Sequence, residues 1–499
     1  IMRTVYIDID TLRPDHLGCY GYHRNTSPNI DKIASEGVLF ENCYVSDSPC
    51  LPSRSAFYSG KCGIRNGAIN HGGYAADPFI DTQRRHFRTF YDNFTCKLRD
   101  AGIYPVTVSP FGERHSSFWF YNGFREMINT GKGGSERADE VVPHALDWLD
   151  RKGKSDNWYL HINIWDPHTP YQVPESEKNP FENDPPPAWM NQDIISKNYN
   201  NYGPGCGREP GGCYNGNDFD KKFPRMCSQI SNMDEYKKWI DGYDTGIYYA
   251  DKHVELIVSK LRKLGILNDT MIIISSDHGE NQGELSVYGD HQTADHITNR
   301  VPMIIRHPKG IGGKGRKKYA ALHYQFDVGA TILEMLGAKV PETWDGVSFL
   351  EKFEKGIDQG RDYLVISNCA WSCQRSVRWS DYLLIRTYHS GFKNYPDIML
   401  FNVKNDPHET RNLAEEKKEL VYYGLAMLEE WFFTEMSKSH TDVDPMWTVM
   451  REGGPYHANY SSSTFQKYLE RLQNTGRSDF REELEKQKNI LNYNPVNYK

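Results

Sequence analysis

The stretch Ser48-Pro49-Cys50-Leu51-Pro52-Ser53-Arg54-Ser55-Ala56-Phe57-Tyr58-Ser59-Gly60 sets a cysteine between two prolines, with an arginine four residues on. Pro52 suits a first helical turn and Gly60 a helix exit, so a short apolar helix is expected behind Cys50. Free N–H groups and the dipole at such a start favour negative charge. A purely structural cysteine has no need of that setting. Three readings remain for it: a nucleophile, a metal ligand, or a small residue in a turn.

Around this segment, strand-like and helix-like runs alternate for most of the first 340 residues. Thr4–Asp10, Tyr104–Val108, Trp158–Trp165 and Thr270–Ser275 read as strands. Ser27–Gly37, Arg85–Ala101, Asp234–Leu264 and Phe326–Leu336 read as helices. This alternation argues for an α/β fold, a large and mostly parallel sheet sandwiched by helices. Beyond Asp345 the pattern shifts to short strands at Tyr363–Ser367, Ser376–Arg386 and Ile398–Val403, then a helix over Ala414–Met436. The expected organisation is a main domain over 1–345, a small α+β subdomain with an antiparallel sheet over 346–440, and an extension over 441–499. The Pro-, Asn- and Gly-rich segment of about 174–224 reads as an irregular, functional insertion.

The 499 residues, 38% of them hydrophobic, suffice for a large core. A formal net charge of -7 gives no general attraction to nucleic acid or an acidic membrane, so an anionic substrate needs a local cationic pocket. No apolar run approaches a membrane span. The first strand begins almost at once, which points to a cytoplasmic protein; a periplasmic or secreted one with a trimmed signal peptide is the alternative. Ten cysteines spread over so long a chain form no disulfide scaffold, and Cys206, Cys213, Cys227, Cys369 and Cys373 read as thiols.

Open α/β sheets hold their sites beyond the carboxyl ends of strands. Asp10 stands there after the first strand, and Asp277-His278-Gly279-Glu280 after Thr270–Ser275. Carboxylates converging at one place repel unless a cation neutralises them, so metal ligation by Asp10 and Asp277 competes with helix capping. Asp8, on the same strand face, reads as structural. Of eighteen histidines, His168 follows a buried strand in Trp165-Asp166-Pro167-His168, and His291 lies in a Gly- and Asp-rich loop. Both are candidate donors to an anionic oxygen or acids for a leaving group. His71, His86, His161, His323 and His389 lack such a context, and His296 reads as a structural loop residue.

The core Cys50-Leu51-Pro52-Ser53-Arg54 resembles the C-x-P-S-R signature of type I sulfatases, in the alkaline phosphatase superfamily. The likeness runs over about the first 415 residues. It continues, in the family's order, through Asp10-Thr11-Leu12-Arg13-Pro14-Asp15, Asn25–Asp31, Asp166–Tyr171, Ser276–Glu280, Arg300-Val301-Pro302 and Asn405-Asp406-Pro407-His408-Glu409. The resemblance implies an alkaline-phosphatase-like fold and hydrolysis of a sulfate ester or sulfamate, expected on a small carbohydrate. It makes Cys50 the precursor of formylglycine, whose hydrated aldehyde supplies the nucleophilic oxygen. It further implies one divalent metal on Asp10, Asp277, His278 and the side chain at 50, with Ca2+ favoured over Mn2+ or Zn2+. Arg54 would hold the nucleophile and the metal-site anions, His115 and His168 would act catalytically, and His291 and Lys61 would meet the sulfate. A formylglycine-generating maturation enzyme is the implied partner.

This chain departs from the family pattern at three places. Thr11 stands where many members carry a second aspartate, and His278 where an asparagine is common. The family's Lys-x-x-His pair is replaced by Ser109–His115, which leaves His115 for the histidine. Two other functions share these residues: a phosphonate monoester or phosphodiester hydrolase, and a non-catalytic sulfoglycan-binding protein.

Overall fold

The computed structural model describes residues 2–79, 92–212, 219–310, 315, 317–458 and 463–490. Among them, eight strands form one sheet, in the order 318–319, 38–40, 303–306, 270–275, 3–9, 158–164, 104–108 and 126–128. Arg3–Ile9 lies at its centre, parallel to Trp158–Ile164 on one side and Thr270–Ser275 on the other. Met303–Arg306 runs antiparallel to Thr270–Ser275, so the sheet is mostly rather than wholly parallel. Every residue of these three central strands is buried, as a sheet covered on both faces requires. Ile7, Ile9, Ile162 and Ile274 join Trp239, Tyr243 and Ile247 of the long helix Met233–Lys263 in one core. Ile273, Met303 and Tyr159 pack on the other side, against Phe57 of the Cys50–Ser59 helix and Val328 and Ile332 of Gln325–Met335. The α/β sandwich expected from the alternation is the architecture observed.

A second sheet of five strands follows the order 398–402, 382–389, 373–379, 363–368 and 47–48. Its outermost strand, Asp47–Ser48, belongs to the segment leading into Cys50 and pairs with Ser367 and Asn368. The small C-terminal sheet is thus stitched directly to the helix that opens with Cys50. Helix Lys418–Lys438 covers it through Leu428 and Trp431.

Two expectations need correction, and a third falls partly outside the described residues. The single strand read over Ser376–Arg386 is a hairpin, Cys373–Trp379 and Tyr382–His389, turned at Ser380, whose φ is 44°. The helix read from Arg85 is described only from Phe94 to Asp100, since 80–91, with His86, lie outside the described residues. The insertion is not irregular throughout. Gln192–Tyr199 is a helix capped by the Asn191 side chain, and it sinks Ile195 into the main core. The extension, for which the sequence carries no structural reading, forms helices Ser463–Asn474 and Ser478–Ile490 that bury Phe465, Tyr468 and Leu484 against Tyr202 and Phe392. The nine cysteines among the described residues are free thiols, while Cys213 lies outside them.

Candidate active site

Asp10 follows the central strand, and its N–H donates to the Ile164 carbonyl across the sheet at 2.9 Å. Thr11 next turns the chain with φ 56° and donates its N–H to Asp277 Oδ1 at 3.3 Å. Leu12 N–H donates to Ser276 Oγ at 2.9 Å. The two strand ends are thereby tied together, with Asp10 and Asp277 side by side. The Cys50–Ser59 helix approaches from the second sheet, and Ser53 Oγ donates to the Asp277 carbonyl at 2.5 Å.

Arg54 lies between the carboxylates. It donates to Asp277 Oδ2 at 2.5 Å, to Asp8 Oδ2 at 2.9 Å and to Asp10 Oδ2 at 3.3 Å. Its guanidinium plane also lies 4.5 Å from the centre of the Phe111 ring. Arg114 adds a contact of 2.8 Å to Asp10 Oδ2, with its guanidinium 4.5 Å from the Trp165 ring centre. Burial alone would raise the Asp10 carboxyl, but Arg114 and Arg54 outweigh it and hold Asp10 well below the usual range. Asp8, which burial also disfavours as an anion, is kept low by Arg54 and His161. Asp8 supports Arg54 from behind, as its structural reading requires.

Asp10, Cys50, Asp277 and His278 bring one ligand atom each to within 4.8 Å of one another, all buried. His278 Nδ1 donates to the Gly279 carbonyl at 2.7 Å, which leaves the Nε2 lone pair for a cation in the neutral ring. That Nε2 lies 3.1 Å from Cys50 Sγ, 3.3 Å from Asp277 Oδ2 and 4.0 Å from Asp10 Oδ1. Asp10 Oδ1 is buried with no hydrogen-bond partner. Two carboxylates, a lone-pair imidazole nitrogen and an orphaned buried oxygen fit a divalent cation. Burial, Asp10 and Asp277 push the Cys50 thiol well up, and the helix start does not reverse this.

Above Cys50 opens a cleft of about 380 Å³ lined by His71, Arg114, His115, Trp165, His168, His291, Trp371 and His457. Burial pulls His168 down to about 4 and His115 to about 3, and His291 falls well below its ordinary value. These rings are neutral at pH 7. His168 Nδ1 is committed to the Thr169 carbonyl, so its Nε2 donates only when an anion in the cleft stabilises the imidazolium. His168 and His291 centroids are 5.3 Å apart, and those of His291 and His278 are 4.2 Å apart. His115 Nε2 and His291 Nδ1 are buried without partners, ready for a ligand's oxygens.

Lys61 is not brought to this place. It follows the far end of the ten-residue helix, roughly 15 Å along its axis from Cys50. Burial and Arg65 lower its ammonium there, with Asp345 and Asp92 as its acidic neighbours. Its assignment to the sulfate is therefore corrected. Conversely, His71, which showed no context in the sequence, lines the cleft, and so do Arg114, Trp371 and His457. His161 stays structural, between Thr107 Oγ1 at 2.9 Å and Asp8 at 3.2 Å. So does His296, which bonds Tyr44 Oη at 2.8 Å. Arg114 was legible as the neighbour of His115; His71 and His457 carried no local signal.

Comparison with known proteins finds relatives of this chain. The sulfatase family model matches residues 3–338, and a model described as N-sulphoglucosamine sulphohydrolase, C-terminal, matches 283–426. An N-acetylglucosamine-6-O-sulfatase of Bacteroides thetaiotaomicron is 23% identical, the match covering 90% of this chain and 89% of that protein. A solved structure of a protein bound to its substrate D-glucosamine-2-N,6-O-disulfate has a TM-score of 0.67 at 18% identity, covering 89% of this chain and 99% of that one. A phosphonate monoester hydrolase from Silicibacter pomeroyi has the same fold, with a TM-score of 0.64 at 18% identity over 90% of this chain and 97% of its own.

Proposed function

The chain belongs to the sulfatase family, and we propose that it cleaves the sulfate ester of a small amino sugar of the N-acetylglucosamine-6-sulfate type, at Cys50 converted to formylglycine. The observation that carries this reading is the convergence of Asp10, Asp277, His278 and residue 50 beneath a cleft of neutral histidines. The amino-sugar part draws on the relatives, one an N-acetylglucosamine-6-O-sulfatase and one bound to a sulfated glucosamine.

Asp10, Asp277 and His278 would hold a divalent cation, Ca2+ in this proposal, whose charge would offset that of the sulfate oxygens. Formylglycine at position 50 supplies the oxygen nucleophile. Arg54 fixes Asp8, Asp10 and Asp277 in one arrangement and adds positive charge under the reacting group. Arg114 does the same for Asp10 from the cleft side. An arriving sulfate draws a proton onto His168 Nε2, which then holds one sulfate oxygen, while His291 offers a neutral N–H to another. His115 stands at the wall of the cleft, where a neutral ring N–H can hydrogen-bond the oxygen of the departing alcohol. Cys50 is only 3% exposed, so its conversion by a maturation enzyme has to precede closure of the fold.

Mass spectrometry of the peptide spanning Cys50, from protein made in a host with a formylglycine-generating enzyme, tests the chemical identity of the nucleophile. The expected result is the mass loss of thiol-to-aldehyde conversion. Fully active protein carrying an unmodified thiol would overturn the reading.

A further inference from the structure

The C-terminal extension delivers to the cleft a side chain that lies beyond both matched regions. His457 sits on the turn Tyr456–Ala458, past residue 426. Its N–H donates to the Ala370 carbonyl at 3.0 Å. Its ring lies nearly flat on Trp371, with centroids 4.4 Å apart and planes 17° apart. His457 Nε2 is 2.8 Å from His71 Nδ1, and the His71 ring in turn stands 4.6 Å from His115. A ring nitrogen of His71, one of His115 and Cys50 Sγ all fall within 4.8 Å of one another. The extension thus shapes the wall beside the nucleophile.

One hydrogen is shared between His71 Nδ1 and His457 Nε2, so the state of one ring sets what the other offers. His71 Nε2 is buried and lacks a protein partner, a cost that a ligand's hydroxyl would remove. The only Arg or Lys lining this cleft among the described residues is Arg114, which is engaged with Asp10. This wall therefore suits uncharged hydroxyls and the apolar face of a sugar ring, and it brings no further guanidinium or ammonium for a second anionic group.

We propose that His71, Trp371 and His457 form a saccharide subsite that grips the alcohol side of the sulfate ester, with His71 Nε2 bonded to a sugar hydroxyl and oriented by His457. The subsite rests on the sulfatase reading above and adds the part of the substrate that it recognises.

The test compares two substrates, N-acetyl-D-glucosamine-6-sulfate and para-nitrophenyl sulfate, which has no sugar hydroxyls. His457→Ala should lower kcat/KM for the sugar about tenfold or more, chiefly through KM, and change the aryl sulfate less than about threefold. His457→Gln, whose amide reaches the position of Nε2, should restore part of the loss. If His457→Ala does not fold, Trp371→Leu carries the same comparison. Equal losses on both substrates, or none on the sugar, would overturn the subsite, as would a wild type that cleaves the aryl sulfate but no sugar sulfate. A wild type that cleaves neither overturns the sulfatase reading itself.

Discussion

Arg54 is the residue on which the site depends most, because one guanidinium keeps three buried carboxylates at a shared place. Lysine keeps the charge but has no planar fork to span Asp8 and Asp277 together. Arg54→Lys is therefore expected to lower kcat/KM by about 10²-fold or more and to reduce the content of bound metal, read by elemental analysis. Unchanged metal content with full activity would contradict the clamp. Cys50, Arg54, Asp10, Asp277 and His278 were all legible in the sequence, because each sits at a strand end or inside a compact motif. Lys61 was misread since nearness in sequence to the motif says nothing of reach once a ten-residue helix intervenes. His71 and His457 were illegible for the opposite reason: they are 386 residues apart and meet only in three dimensions.

At the scale of elements, the Cys50–Ser59 helix is fixed at both ends. Asp47–Ser48 ties its entry to the second sheet, and Gly60, at φ 65°, ends it. A Cβ at Gly60 would lie 1.9 Å from Trp344 Cδ2, within the packed cluster that also holds Phe57. Gly60→Ala combines a left-handed backbone penalty of about 1–2 kcal/mol with overpacking of about 1–3 kcal/mol. Urea denaturation should show a loss of about 2–5 kcal/mol; a loss below about 1 kcal/mol would mean that the helix exit is not held against Trp344. Thr270–Ser275 and Met233–Lys263 were readable from periodicity to within a residue, while the start of Lys418–Lys438 was read four residues early. The Ser380 turn was not readable, because the two strands meet through Ser380 and Asp381 with no glycine or proline to mark the reversal.

For the whole molecule, burial of neutral histidines couples stability to pH. His323, packed between Phe40 and Phe349, is drawn down to about 4 by burial against the partial pull of Asp327. Its folded value lies below the unfolded 6.5, so between pH 6.5 and 4 the unfolded chain binds the extra proton. Its contribution is complete above pH 6.5 and is lost as the pH falls towards 4. Asp166, raised by burial to about 7, acts oppositely over the same range, so the wild type's net slope mixes both signs. A comparison with His323→Gln isolates one group. The wild type should lose about 2 kcal/mol more than the variant between pH 7 and pH 5, measured by denaturant unfolding. Equal losses would show that His323 titrates freely. The sandwich architecture was legible because alternating strands and helices admit few arrangements. The part played by the C-terminal helices was not, since their charged composition hid a buried face that packs against Tyr202 and Phe392.

The central claim is hydrolysis of a sulfate ester at residue 50, and its most direct test is sulfate release from N-acetyl-D-glucosamine-6-sulfate, measured beside cleavage of a phosphonate monoester. The wild type should release sulfate faster than it cleaves the phosphonate, and Cys50→Ala should abolish release to below about 10⁻³ of the wild-type rate. Faster cleavage of the phosphonate, or sulfate release that survives in Cys50→Ala, would contradict the account.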